Sequence, residues 1–101
     1  MDNRLSEIVD KILKFIKPVI IYLFGSRVED DADKDSDYDL VVIYDGNKSK
    51  RDVKLGIYHL FPHPDFSLDI FVLSPEELNK FKHVANTLER EITENGIILY
   101  G

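Results

Sequence analysis

The sequence predicts an α/β domain, a small mixed β-sheet with helices packed on it, and three observations carry that expectation. Apolar residues recur at helical spacing over residues 4–16, with Leu5, Ile8, Val9, Ile12, Leu13 and Ile16 on one stripe, the pattern of a helix with one buried face. Apolar runs at residues 19–24, 36–44 and 67–73 have the length of strands. Helical stretches with start and stop signals lie between and after these runs, the alternation that lays helices on a sheet.

Taken in order, the first helix is stopped by Pro18, which lacks the donor a helix interior needs. Residues 19–24 are apolar without alternation, as in a strand covered on both faces. The run ends at Gly25-Ser26, an acidic loop follows, and residues 36–44 form the second strand, closed by Asp45-Gly46-Asn47, a strong turn signal. A second helix is expected over residues 49–61, with Ser49 and Asp52 in a capping-box-like start and an apolar face of Val53, Ile57, Leu60 and Phe61. Gly56 weakens its interior. Pro62 and Pro64 end it, and residues 67–73 form the third strand. Ser74-Pro75-Glu76-Glu77 supplies an N-cap, a proline at the first helical position and acids in the first turn. Residues 84–95 continue that helix or form another, stopped at Asn95-Gly96. Residues 97–100 make a short edge strand.

The 101 residues, 44% hydrophobic and 32% charged, suit one globular domain over residues 1–101. No repeat, low-complexity tract or linker divides them. No apolar run approaches the ~20 residues of a membrane span, and no secretory leader pattern opens the chain. Without cysteine there is neither a disulfide framework nor a thiolate metal site. A cytoplasmic protein that does not enter membranes is expected.

The net charge of −6 is local. Residues 29–39 hold Glu29, Asp30, Asp31, Asp33, Asp35, Asp37 and Asp39 against the single base Lys34, so the rest of the chain is neutral. A grip on nucleic acid needs a basic stripe, and none is visible, so direct nucleic-acid binding is not expected. Asp33-x-Asp35-x-Asp37-x-Asp39 is similar to the opening of a calcium loop, but Tyr38 and Tyr44 stand where an EF-hand requires Gly and Glu. His59, His63 and His83 lack ligand spacing and read as structural or surface residues. Lys48, Lys50 and Arg51 read as the solvated start of a helix.

The chemistry concentrates at Gly25-Ser26 and at Asp37-x-Asp39. In a strand, Asp37 and Asp39 share one face about 7 Å apart, with Val41 and Ile43 following on that face and Tyr38, Leu40, Val42 and Tyr44 on the other. Two like charges side by side call for a cation, and oxygen donors suit hard divalent ions, Mg²⁺ above all. The Gly-Ser turn offers closely approachable backbone, amide donors and a hydroxyl, which suits phosphate. Asp69 interrupts the apolar third strand; a carboxylate there must be paired, metal-bound or at the sheet rim.

Gly25-Ser26, ten residues, then Ser36-Asp37-Tyr38-Asp39-Leu40, with Asp69 in a later strand and the ending Gly96-Ile97-Ile98-Leu99-Tyr100, resembles the minimal nucleotidyltransferase (MNT) domains of the DNA polymerase beta superfamily over nearly the whole chain. The resemblance implies a polymerase beta palm-like nucleotidyltransferase fold. It implies transfer of AMP from ATP to an acceptor hydroxyl, with Gly25, Ser26 and Arg27 as nucleotide-binding residues. Asp37, Asp39 and Asp69 would be catalytic and would hold two Mg²⁺ ions, Mn²⁺ serving as an alternative. Members of this size commonly act as antitoxins by adenylylating a tyrosine of a HEPN-domain ribonuclease toxin, and at this length no separate acceptor domain is expected. That makes a HEPN toxin the expected partner, beside the nucleoside triphosphate. A binding-only antitoxin and an antibiotic-type nucleotidyltransferase are the alternatives. In one place the chain departs from the family, which often shows a basic residue, a small residue, Arg and Gly after Gly-Ser. Here Arg27, Val28, Glu29 and Asp30 follow, placing two acids beside the triphosphate position.

Overall fold

Spacing of Leu5, Ile8, Val9 and Ile12 puts all four on the buried side of α1 (Asn3–Phe15). Ile16, just past the helix, is buried as well, and its N–H still reaches the Ile12 carbonyl at 2.9 Å. The computed structural model describes residues 3–25 and 37–101. After Pro18 the chain enters β1 (Ile20–Phe24), which pairs antiparallel with β2 (Tyr38–Ile43) from Ile20 opposite Ile43 to Phe24 opposite Asp39. Next comes α2 (Lys50–His59), whose N-cap Ser49 accepts from the Asp52 N–H at 3.0 Å. The chain then returns as β3 (Leu68–Leu73), parallel to β2 and in register from Tyr38–Leu68 to Ile43–Leu73.

The second half supplies α3 (Pro75–Phe81), α4 (Leu88–Asn95) and β4 (Ile97–Tyr100), which lies antiparallel to β1. The strand order is β3-β2-β1-β4, so the sheet is mixed, with β3 and β4 at its edges. A full capping box opens α3: Ser74 Oγ accepts from the Glu77 N–H and Glu77 Oε1 from the Ser74 N–H, both at 3.1 Å. The helix expected from residue 84 starts later, at Leu88. Asn86 takes a left-handed φ of 65°, which ends any continuation, and Thr87 caps a new helix by accepting from the Arg90 N–H at 3.2 Å.

Alternation in the strands sorts their side chains into two cores. Tyr38, Leu40, Val42 and Ile70 pack with Ile21 and Leu23 under α1 and α2, joined by Val53 and Ile57. On the opposite face Tyr22, Val41 and Ile43 pack with Ile92 of α4, and Leu78 of α3 borders them. Each fully buried side chain of this kind contributes roughly 1.5–3 kcal/mol. Leu60 and Phe61, expected on the buried face of the second helix, are half-buried past its end. Gly56 has a purpose beyond its poor propensity: a Cβ there would overlap the Phe15 ring, so the missing side chain lets α1 and α2 approach. No helix among the described residues is long and apolar enough to cross a membrane.

Candidate active site

Register brings the acids together at one end of the sheet. Phe24 on β1 stands opposite Asp39 on β2, and Asp39 stands beside Asp69 on β3. In-register neighbours share a face, so Asp39 and Asp69 lie side by side on the face that carries Val41, Ile43, Phe71 and Leu73 further along. Below this row the side chains become apolar: Val41 and Ile43 are fully buried. The rings of Phe24 and Phe71 meet edge to face with centroids 5.6 Å apart. They come from the strands on either side of β2, so they wall the acids off from the core.

Gly25 ends β1 with φ +81°, a backbone that residues with a Cβ rarely adopt. A Cβ at this position would also run into the Asp39 carboxylate, with Cγ only 3.4 Å away. The turn therefore lies directly against the acid. Asp39 is half-buried, whereas Asp37 and Asp69 are exposed. Burial pushes the Asp39 carboxyl up to about 6; the Asp69 charge, a hydrogen bond between the two carboxyls and the Asp37 charge add to the shift. Below about pH 6 the Asp39 carboxyl therefore keeps its proton, because ionising it would bury a charge beside like charges.

The crowding of acids that favours a proton on Asp39 equally favours a cation. Two adjacent carboxylates with a third acid nearby are the hard oxygen donors a divalent ion takes, so the donor set fits Mg²⁺ in kind. The gathering is looser than the sequence reading expected, because among the described residues no three Asp, Glu or His side chains are clustered to hold a metal. Asp39 and Asp69 form the pair; Asp37, just outside β2, acts on Asp39 through its charge. Ser26 and Arg27, the other nucleotide-binding candidates, lie outside the described residues, as do Glu29, Asp30 and the rest of the acidic loop through Ser36.

Sequence reasoning missed Phe24 and Phe71. The available signal was the exposed-face position of Phe71, two residues past Asp69 on the same side of a strand. It also grouped Lys48 with Lys50 and Arg51, which the structure separates. Lys48 lies over the Phe15 ring, 5.6 Å from its centroid, and Lys50 pairs with Glu77. The three histidines are exposed.

Residues 6–101 match a family model described as "Polymerase beta, Nucleotidyltransferase". No curated protein matches the chain.

Proposed function

The chain belongs to the polymerase beta nucleotidyltransferase family, and from that premise we propose that it moves AMP from ATP to an acceptor hydroxyl. The observation that carries this reading is the in-register pair Asp39–Asp69 beside the left-handed Gly25. Gly25, with Ser26, would hold the β- and γ-phosphates through close backbone approach, and Arg27 would reach a phosphate oxygen. Asp37, Asp39 and Asp69 would hold divalent metal, Mg²⁺ or Mn²⁺, which when bound neutralises triphosphate charge and raises the acidity of the acceptor hydroxyl.

Asp69 stands on the edge strand and is the exposed member of the pair, so it would accept the proton of the incoming hydroxyl. The acceptor oxygen forms a bond to the α-phosphorus, the bond from that phosphorus to the β-bridging oxygen breaks, and pyrophosphate leaves with the electron pair. A tyrosine hydroxyl, with a pKa near 10, needs such help at neutral pH. We take the acceptor to be a tyrosine of a HEPN-domain ribonuclease, which would make the chain an antitoxin; the resemblance of residues 25–40 to MNT domains supports this.

A binding-only antitoxin is the second reading, favoured because no three acids among the described residues cluster to hold a metal. Incubation with the partner, ATP and Mg²⁺ tests both. Transfer predicts a partner heavier by AMP, still inactive as a ribonuclease after the proteins are separated, and no modification by Asp69→Asn. An unmodified partner, fully inhibited at one-to-one ratio by Asp69→Asn, would overturn the enzyme.

A further inference from the structure

An open groove of about 260 Å³ runs between α2, the outer edge of β3 and the start of α4. Lys50, Arg51 and Lys54 line one wall, Leu88 the other, and Phe71 and Leu73 of β3 contribute to an apolar floor. Three cations over such a floor invert the sign of a molecule whose net charge is −6. Lys50 is held by Glu77, while Arg51 and Lys54 are exposed and make no ion pair among the described residues. Phe71 joins the groove to the acids. It is 38% exposed, touches Phe24, and follows Asp69 on the same face about 7 Å along the strand.

We propose that this groove receives the acceptor protein, with an acidic stretch held by Arg51 and Lys54 and a neighbouring aromatic side chain packed on Phe71. The inference rests on the nucleotidyltransferase reading, in which Gly25 on β1 marks the phosphate side of the site and Asp69 on edge strand β3 the acceptor side. Ile70 and Phe71 of the groove follow Asp69 directly on β3, so a chain lying in the groove has one end next to the acceptor side. Capture is by side chains and not by strand addition, because the outward N–H of Ile70 already donates to Tyr58 Oη at 3.0 Å. A short acidic protein segment suits the two unpaired cations better than nucleic acid, whose binding draws on a long basic stripe.

The test uses the full chain and three fluorescent probes: an extended peptide alternating Glu and Tyr, its Lys–Tyr counterpart, and a uridine oligonucleotide. Anisotropy should show the Glu–Tyr peptide binding best, with affinity falling as salt rises. Arg51→Glu with Lys54→Glu should weaken it about tenfold, given two reversed charges in a partly desolvated groove, and Phe71→Ala should weaken it too. ATP affinity and the melting temperature of the charge-reversed variant should stay unchanged. No binding of the Glu–Tyr peptide, equal binding by the charge-reversed variant, equal binding of the Lys–Tyr peptide, or tighter binding of the oligonucleotide would each overturn the proposal. Peptide binding that depends on Arg51 and Lys54 without any AMP passing to tyrosine would sustain the groove and count against the transfer reading. AMP transfer with an acceptor KM indifferent to the charge reversal would do the opposite.

Discussion

The backbone of Gly25 lies against the carboxylate of Asp39, leaving no space for a Cβ between them. Glycine is thus required twice, by its φ of +81° and by its neighbour. Gly25→Ala should destabilise the fold by about 1–3 kcal/mol, from backbone strain and the displaced carboxylate together. Urea unfolding measures it. Adding Asp39→Ala should recover the steric part and leave the strain, a coupling that a double-mutant cycle reads directly. Strictly additive losses would place the two residues apart.

Asp39 itself should make the free protein less stable at neutral pH. Its carboxyl rises from 3.8 to about 6 on folding, first through burial and then through Asp69 and Asp37. Between those two values the native state binds the proton more tightly than the unfolded chain does, so stability falls as pH rises through that window. The penalty is complete above about 6 and relieved below 3.8. Asp39→Asn should therefore stabilise the protein at pH 7.5 by about 1 kcal/mol once solvent screening is allowed for, or about 4–8 °C in Tm. Melts repeated near pH 4 should show the gain shrinking towards zero; a gain independent of pH would contradict the Asp39–Asp69 pairing.

The elements were legible in the sequence because each carries a local period or a cap. The stripe of Leu5, Ile8, Val9 and Ile12, the alternation after Asp37 and the N-cap Ser74 followed by Pro75 all depend on neighbours within a few residues. What joins distant strands was not legible from pattern. Nothing local says that Asp69 stands beside Asp39, or that Phe24 and Phe71 meet from opposite sides of β2; strand order decides both. The break before Leu88 was hidden for a different reason. Asn86 adopts a left-handed φ that its sequence context permits but does not announce. Gly56 read as a weakness because the Phe15 ring that fills its place lies on another helix.

The hydroxyl of Tyr58 should contribute separately from its ring, which packs against the core. It accepts the outward Ile70 N–H at 3.0 Å and ties α2 to the edge strand. Tyr58→Phe should lose about 1 kcal/mol, since the amide is left part-buried without that acceptor. Hydrogen exchange should accelerate at Ile70 more than at its neighbours. Uniform acceleration along β3 would indicate loosened packing and not the loss of this one bond.

Glu77 should show the opposite pH sign to Asp39. Its carboxyl is held below 4.5, first by the hydrogen bond from Lys50, although burial opposes the shift, and also by its bonds with Ser74. Such a group stabilises the fold above pH 4.5 and loses that contribution as pH falls through its folded value. Both partners are substantially exposed, so Glu77→Ala should cost about 1 kcal/mol at pH 7, mostly from the cap. Difference melts between pH 7 and pH 3 check the direction, which should converge at the acid end.

The last prediction concerns what relieves the carboxylate pair. If a divalent cation takes the place of the proton on Asp39, calorimetry should show ATP binding that depends on Mg²⁺ or Mn²⁺. Binding of metal and nucleotide should also release about one proton near pH 5, where Asp39 is still protonated in the free protein. That release can be read by repeating the titration in buffers of different ionisation enthalpy. Asp69→Asn keeps the size of the side chain but removes both the donor oxygen and the proton acceptor. It should lower transfer on the order of 10²–10⁴-fold, the range for loss of a general base. Asp37→Asn and Asp39→Asn should also abolish transfer while leaving the apo protein as stable or more so, because each removes a charge that repels its neighbours. ATP binding with equal affinity in the presence of a chelator would sink the metal-dependent reading. A large loss of stability on either change would mean that the acids serve the fold and not the chemistry.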